Sequence, residues 1–128
     1  MLFRSPVKAN IAPYPFTISR NRITDETAKV NFLLPSNDAL NYPNKITTKD
    51  FEGWIQERSI YNAEKIDSSY QKILSMKDPS EAEQDGSLIV ADYGKGKFVY
   101  TGLVFFRELP AGVSGAYRLF ANLIAKRK

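Results

Sequence analysis

A single α/β or α+β domain, with a mixed sheet, one long hairpin and a C-terminal helix packed on it, is the fold class the sequence predicts. Three observations predict it. The chain has 128 residues, 43% hydrophobic and 25% charged, which suits one domain with a real core. Two apolar and aromatic runs, Ser87–Tyr93 and Lys97–Leu103, flank Gly94-Lys95-Gly96, a hairpin signature. Ala116, Leu119, Phe120, Leu123 and Ile124 then recur at i, i+3, i+4, i+7 and i+8, the stripe of an amphipathic helix.

Taken in order, the first third is rich in turn formers. Pro6, Pro13, Pro15, Pro35 and Pro43 each remove a backbone donor and disfavour helix at the preceding residue. Short extended segments fit between them, at Phe16–Ser19 and Lys29–Leu34, and Asn41-Tyr42-Pro43-Asn44 reads as a turn. Thr48 is a reasonable N-cap for a short helix carrying Phe51, Trp54 and Ile55. Gly53 weakens that helix, so the chain is expected to continue extended through Ile60 and Tyr61. Tyr70–Met76 is a further candidate strand. The acidic stretch Lys77–Gly86 reads as a surface loop. The second hairpin arm runs on into Val104-Phe105-Phe106, so part of it should be buried on both faces. Ser114 can cap the C-terminal helix, whose stripe is expected to lie on the hairpin sheet. Neither repeats nor a linker divide residues 1–128.

The composition restricts the chemistry. There is no histidine and no cysteine, so a serine or cysteine nucleophile with a histidine base cannot be built, nor a zinc site of the usual ligands. Carboxylate acid/base chemistry, oxygen-ligand metals and a lysine-activated serine remain open, but no spacing singles one out. Neither a metal nor another cofactor is expected. Gly94-Lys95-Gly96-Lys97 joins two strands and lacks the longer loop and the Ser or Thr opening a helix that a phosphate loop needs. The acids from Asp78 to Asp85 lack the ligand pattern of a calcium loop. The net charge of +4 has its clearest local source in Lys126-Arg127-Lys128, read as a solvated tail. Without a basic and aromatic stripe, nucleic acid is not an expected partner. No stretch is long and apolar enough to span a bilayer, and the first residues do not read as a signal peptide. The expected compartment is the cytoplasm by default, or outside the cell if a longer exported parent carries the chain.

The richest constellation is Asp50 to Tyr61. It gathers the only Trp with an Arg, three acids, a Gln and a Tyr. Trp54 and Tyr61 could stack on sugar rings, while Asp50, Glu57, Arg58 and, from further along, Arg107 could orient polar substituents. The competing reading makes Trp54 a core anchor and the charges structural ion pairs, Glu57–Arg58 or Asp50–Arg58, with Arg107-Glu108 and Arg118 near the C-terminal helix able to pair with these acids across the fold.

Two long strings point further. Asn44-Lys45-Ile46-Thr47, leading into Asp50-Phe51-Glu52-Gly53-Trp54-Ile55-Gln56-Glu57-Arg58, is the first; Tyr93 to Leu103 with Phe105 to Gly112 is the second. Together with Gly115 to Leu123, Pro13-Tyr14-Pro15-Phe16 and Ile18 to Glu26, they resemble the C-terminal region of large bacterial PIG-L (LmbE-like) deacetylase-family proteins. The resemblance covers nearly the whole chain. It implies part of a class I glutamine amidotransferase-like, flavodoxin-like domain, appended to a deacetylase domain. The deacetylase's His-Pro-Asp-Asp metal motif and the amidotransferase's Cys and His are missing from this sequence, so the resemblance carries over neither activity. It also implies missing parallel strands, which would make Met1 to Lys128 the back part of such a domain or a shortened relative.

The leading expectation is therefore a non-catalytic accessory domain serving assembly and substrate contact. Its apolar surface, Phe105, Phe106 and the Leu119/Phe120 stripe, is expected to self-associate or to dock on a deacetylase domain. A carbohydrate-binding module is the first alternative and requires an exposed Trp54, with a glycan as ligand. A carboxylate-dependent hydrolase is the second and requires two acids, for example Asp50 and Glu57, free of arginine partners across one cleft.

Overall fold

Turn formers dominate the first half of the chain, and the strands there are correspondingly short. The computed structural model describes residues 7–8 and 12–125. Pro6 and the basic tail 126–128 lie outside the described residues. In chain order the strands are β1 (Val7–Lys8), β2 (Thr17–Ile18), β3 (Arg22–Ile23), β4 (Asn31–Phe32), β5 (Ser59–Ile60) and β6 (Ala63–Glu64). They continue with β7 (Gln71–Lys72), β8 (Leu74–Ser75), β9 (Leu88–Tyr93) and β10 (Gly96–Thr101). Helices α1 (Phe105–Glu108) and α2 (Ser114–Ile124) follow, and two 3-10 turns, Asp38–Leu40 and Thr48–Phe51, precede β5.

The architecture is mixed α/β, with small antiparallel sheets and two helices. The strands form the orders β1-β2-β6, β10-β9-β7, β3-β5 and β4-β8, and every one of these pairings is antiparallel. Among the described residues, the single mixed sheet expected from sequence is replaced by four small ones. The physical reason is local: two-residue strands separated by turns cannot extend a common ladder.

The hairpin forms where its turn chemistry places it. Gly96 pairs with Tyr93, leaving Gly94-Lys95 as a two-residue loop. Gly94 sits at φ +58°, and the first loop position of a type II′ turn calls for glycine. The arm covered on both faces is β9, not the second arm. It lies between β10 and β7, and its alternation divides two cores: Leu88 and Val90 join one cluster, Ile89 and Ala91 the other. The larger core holds Phe51, Trp54, Leu74, Met76, Val104 and Leu119. The smaller is largely aromatic, with Phe16 and Tyr70 flanked by Tyr14, Phe98 and Tyr100. The second arm stops at Thr101. Leu103 makes a single bridge to Ser59, and Phe105–Glu108 turns helical, burying Phe105 and Glu108 while Phe106 points to solvent.

The position of α2 differs from expectation in two respects. It rests chiefly on the two 3-10 turns rather than on the hairpin. Its N-cap is Val113, with no side-chain cap, and Ser114 is already helical. Ala116, Leu119 and Leu123 are buried as the stripe requires, but Ile124 and part of Phe120 are exposed. In their place Gly115 and Asn122 face inward. A Cβ at Gly115 would stand 1.8 Å from the Asp50 carbonyl oxygen, so glycine lets the helix touch the second 3-10 turn. Fully buried Asn122 donates to the carbonyls of Ala39 (3.0 Å) and Asn44 (2.7 Å) and accepts from the Asn44 N–H (2.9 Å). That amide fastens the Asn41–Asn44 turn, which contains the cis Tyr42–Pro43 bond, to the helix.

Candidate functional site

The second 3-10 turn sets the geometry of the predicted constellation. Its cap is Thr47, one residue before the expected Thr48, and Asp50 completes a capping box by accepting the Thr47 N–H at 2.8 Å. The other Asp50 oxygen takes the Arg118 Nε hydrogen at 2.8 Å, so this carboxylate ties the turn to α2. Gly53, at φ +79°, ends the turn and sends the chain back across the core. Trp54 consequently drops inward. It is 3% exposed, donates from Nε1 to the Asp50 carbonyl at 2.9 Å, and packs between Phe51 and Phe105. This indole is not a surface platform, which corrects the pairing of Trp54 with Tyr61 as a sugar-stacking site. Tyr61 lies apart at the surface, 49% exposed, with φ +59° and its carbonyl accepting the Tyr100 hydroxyl at 2.6 Å.

Glu57 is buried between two arginines. Oε1 accepts from Arg22 Nη2 at 2.7 Å, and Oε2 lies 3.3 Å from Arg107 Nε, an ion-pair distance without hydrogen-bond alignment. Arg107 also donates to the Gln56 side-chain carbonyl at 2.6 Å and covers the Phe106 ring. Arg58 runs the opposite way into the core. It donates to the carbonyls of Ala28 (3.0 Å) and Phe51 (2.6 Å), with its guanidinium 5.7 Å from the Phe51 ring centroid. Burial lowers its pKa, opposed by Asp25, Glu108 and Glu26. The structural pairs are therefore Asp50–Arg118 and Glu57–Arg22/Arg107: the pairing of these acids with Arg107 and Arg118 across the fold is as expected, whereas the local pairs Glu57–Arg58 and Asp50–Arg58 do not form. Both acids proposed for hydrolysis are engaged by arginine, so they do not form the free couple across a cleft that such a reaction needs.

Sequence reasoning passed over two carboxylates. Glu108 is fully buried; Oε1 accepts the Ile55 N–H at 2.8 Å, while Oε2 has no partner. Desolvation raises its pKa, reinforced by Glu26 and opposed by the Ile55 N–H, Arg107 and Arg58. Asp78, expected in a solvated loop, is buried and accepts from Thr24 N (2.9 Å), Thr24 Oγ1 (2.9 Å) and Asp25 N (2.8 Å). Desolvation pushes its carboxyl up, but those hydrogen bonds outweigh it and hold the pKa low. The signal for Glu108 was its i+3 spacing from Phe105; Asp78 had none, because its partners are more than fifty residues away.

Grooves open elsewhere among the described residues. One is lined by Asn37, Asp38, Gln71, Val90, Val99 and Leu123, another by Asn21, Lys65, Lys72 and the loop Glu81–Asp85, and a third by Lys95, Lys97, Val99, Leu123 and Ile124; none of these includes a residue of the predicted constellation. Among the described residues no group of three or more acids is placed to hold a metal ion, and no helix is long and apolar enough to cross a membrane. Comparison with family models, curated proteins and solved structures finds no significant match to this chain.

Proposed function

We propose that this chain is a non-catalytic accessory domain of the PIG-L deacetylase type, the C-terminal part of an amidotransferase-like, flavodoxin-like unit that serves assembly. The observation that carries the reading is the use made of the constellation. Asp50, Glu57, Arg58 and Arg107 spend their charge on joining the second 3-10 turn, β3, α1 and α2 to one another. Side chains so committed hold a scaffold, and a scaffold that positions a neighbouring catalytic domain is the role the resembling strings suggest. The test uses the purified chain and a separately purified PIG-L-type deacetylase domain. Expected are no release of acetate from N-acetylated amino sugars, no release of ammonia from glutamine, and calorimetric binding of the two proteins. Turnover by the chain alone that Asp50→Asn or Glu57→Gln abolishes would overturn the reading.

A further inference from the structure

A sheet edge offers a row of backbone donors and acceptors to any extended chain, and folded proteins blunt such edges with short strands, proline, bulges or inward charges. Among the described residues every other edge strand has only two residues. β10 is different. It lies at the edge of the order β10-β9-β7, has six residues, contains no proline and runs opposite β9 without a bulge. Its one charged residue is Lys97, whose ammonium is drawn back to the Asn122 carbonyl at 3.1 Å.

The register fixes which groups of β10 face outward. Tyr93 and Gly96 close the two-residue loop, and the Gly102 N–H reaches the Ser87 carbonyl at 2.8 Å. Even-numbered residues of this strand therefore bond to β9, and odd-numbered ones turn their N–H and carbonyl away from it. Among the described residues, nothing on that side exchanges a backbone hydrogen bond with Val99 or Thr101. The strand is held in place all the same: Val99 packs on the larger core, Phe98 and Tyr100 on the aromatic one. A groove lined by Lys95, Lys97, Val99, Leu123 and Ile124 opens beside it.

We infer that β10 pairs antiparallel with β10 of a second copy of this chain, joining the two β10-β9-β7 sheets edge to edge. With Tyr100 on the two-fold axis, Val99 of each copy lies opposite Thr101 of the other, and these pairs exchange their outward N–H and carbonyl groups. Tyr100 then faces Tyr100, an aromatic pair across strands, and Lys97 faces Leu103, so no like charges stand opposite one another. That self-complementarity selects a second copy over a foreign peptide, because the strand supplies its own matching partner. The outer edge of the joined sheet is β7 on both sides, two residues long, so growth stops at two copies. Strand pairing of this length buries less than the roughly 800 Å² per partner of a standard interface, so the dimer is reversible and concentration-dependent. Only this chain takes part, so the inference stands apart from the deacetylase partner proposed above.

Sedimentation velocity over a range of concentrations, with amide hydrogen exchange followed by NMR, tests this. Expected is a dimer that grows with concentration and slows exchange of the Val99 and Thr101 amides by about tenfold or more. The Phe98 and Tyr100 amides, bonded to β9 in either state, should not respond to concentration. Val99→Pro removes an outward donor that the ladder to β9 does not use, a position where an edge strand tolerates proline. Once circular dichroism shows that this variant melts like the parent, its dimer should be weaker by about tenfold or more. If the variant does not fold, the exchange pattern of the parent decides alone. A chain that stays monomeric at every concentration overturns the inference. So does a dimer that Val99→Pro leaves unchanged, or one that protects amides elsewhere but not those of Val99 and Thr101.

Discussion

Glu108 has one oxygen satisfied by a backbone N–H and the other buried without a partner, and that asymmetry has a measurable consequence. Its folded pKa lies above the ordinary value of 4.5, so between those two values the folded state holds a proton that the unfolded state has released. Its contribution to stability therefore falls as pH rises through that window, and the cost is fully present above the folded pKa. Glu108→Gln keeps the acceptor for Ile55 and removes the titration. Urea melts should show the variant gaining on the parent as pH rises above the ordinary value of 4.5; a difference independent of pH would disprove the assignment. Glu108→Ala instead strands the Ile55 N–H and should cost about 1–3 kcal/mol. Asp78 has the opposite sign. Its pKa is lowered, so its stabilisation is present above the ordinary value of 3.8 and is lost as pH falls through the folded value. Asp78→Ala should cost about 2–3 kcal/mol at neutral pH by the scale of hydrogen bonds to a charged acceptor, with the deficit shrinking in acid.

At the scale of elements, α2 and the second 3-10 turn meet where two effects of opposite sign compete. Gly115→Ala would ordinarily stabilise a helix by about 1 kcal/mol. Here the added Cβ lands 1.8 Å from the Asp50 carbonyl oxygen, which is backbone and cannot swing aside. Overpacking of that kind costs about 1–3 kcal/mol or more, so net destabilisation is expected in urea titration. A stabilised Gly115→Ala variant would mean that α2 stands off the turn. What was legible in the sequence follows the same division between local and distant causes. The hairpin and its turn, the extent of α2 and the early end of the Thr48–Phe51 turn all depend on local chemistry: Gly94, a helical apolar period and Gly53. The Arg22 partner of Glu57, the burial of Asp78 and the inward face of Asn122 depend on residues 35 to 83 positions away, which no local pattern encodes. The predicted constellation is not one site: Asp50, Trp54, Glu57, Arg58 and Arg107 are engaged with the fold's own groups while Tyr61 lies apart, and an Arg, two acids and a Trp read the same in sequence whether they face a ligand or each other. Continuing the apolar run at Thr101 into Val104-Phe105-Phe106 failed because length of hydrophobic run does not separate strand from buried helix.

For the molecule as a whole, the decisive element is β9, whose alternate side chains belong to different cores. Ile89 is fully buried in the aromatic cluster, and Leu88 is fully buried in the larger one, one residue apart on the same strand. Neither core can therefore lose its packing without removing support from a strand the other requires. The single Trp reports on one side only: Trp54 lies in the larger core, while the aromatic core contains Tyr14, Tyr70 and Tyr100 but no Trp. Trp54 fluorescence and tyrosine near-ultraviolet dichroism should consequently give one coincident urea transition, as a two-state domain requires. Buried Trp54 should also resist quenching by acrylamide and stay indifferent to amino sugars until that transition. Ile89→Ala removes side-chain volume from the aromatic core alone, at a cost of about 2–5 kcal/mol for a buried isoleucine. If β9 couples the cores, the Trp54 midpoint must fall in step with the tyrosine midpoint in that variant. A tyrosine transition that moves to lower urea while the Trp54 transition stays in place would show two independently folding cores, and β9 would then be a shared boundary rather than a shared support.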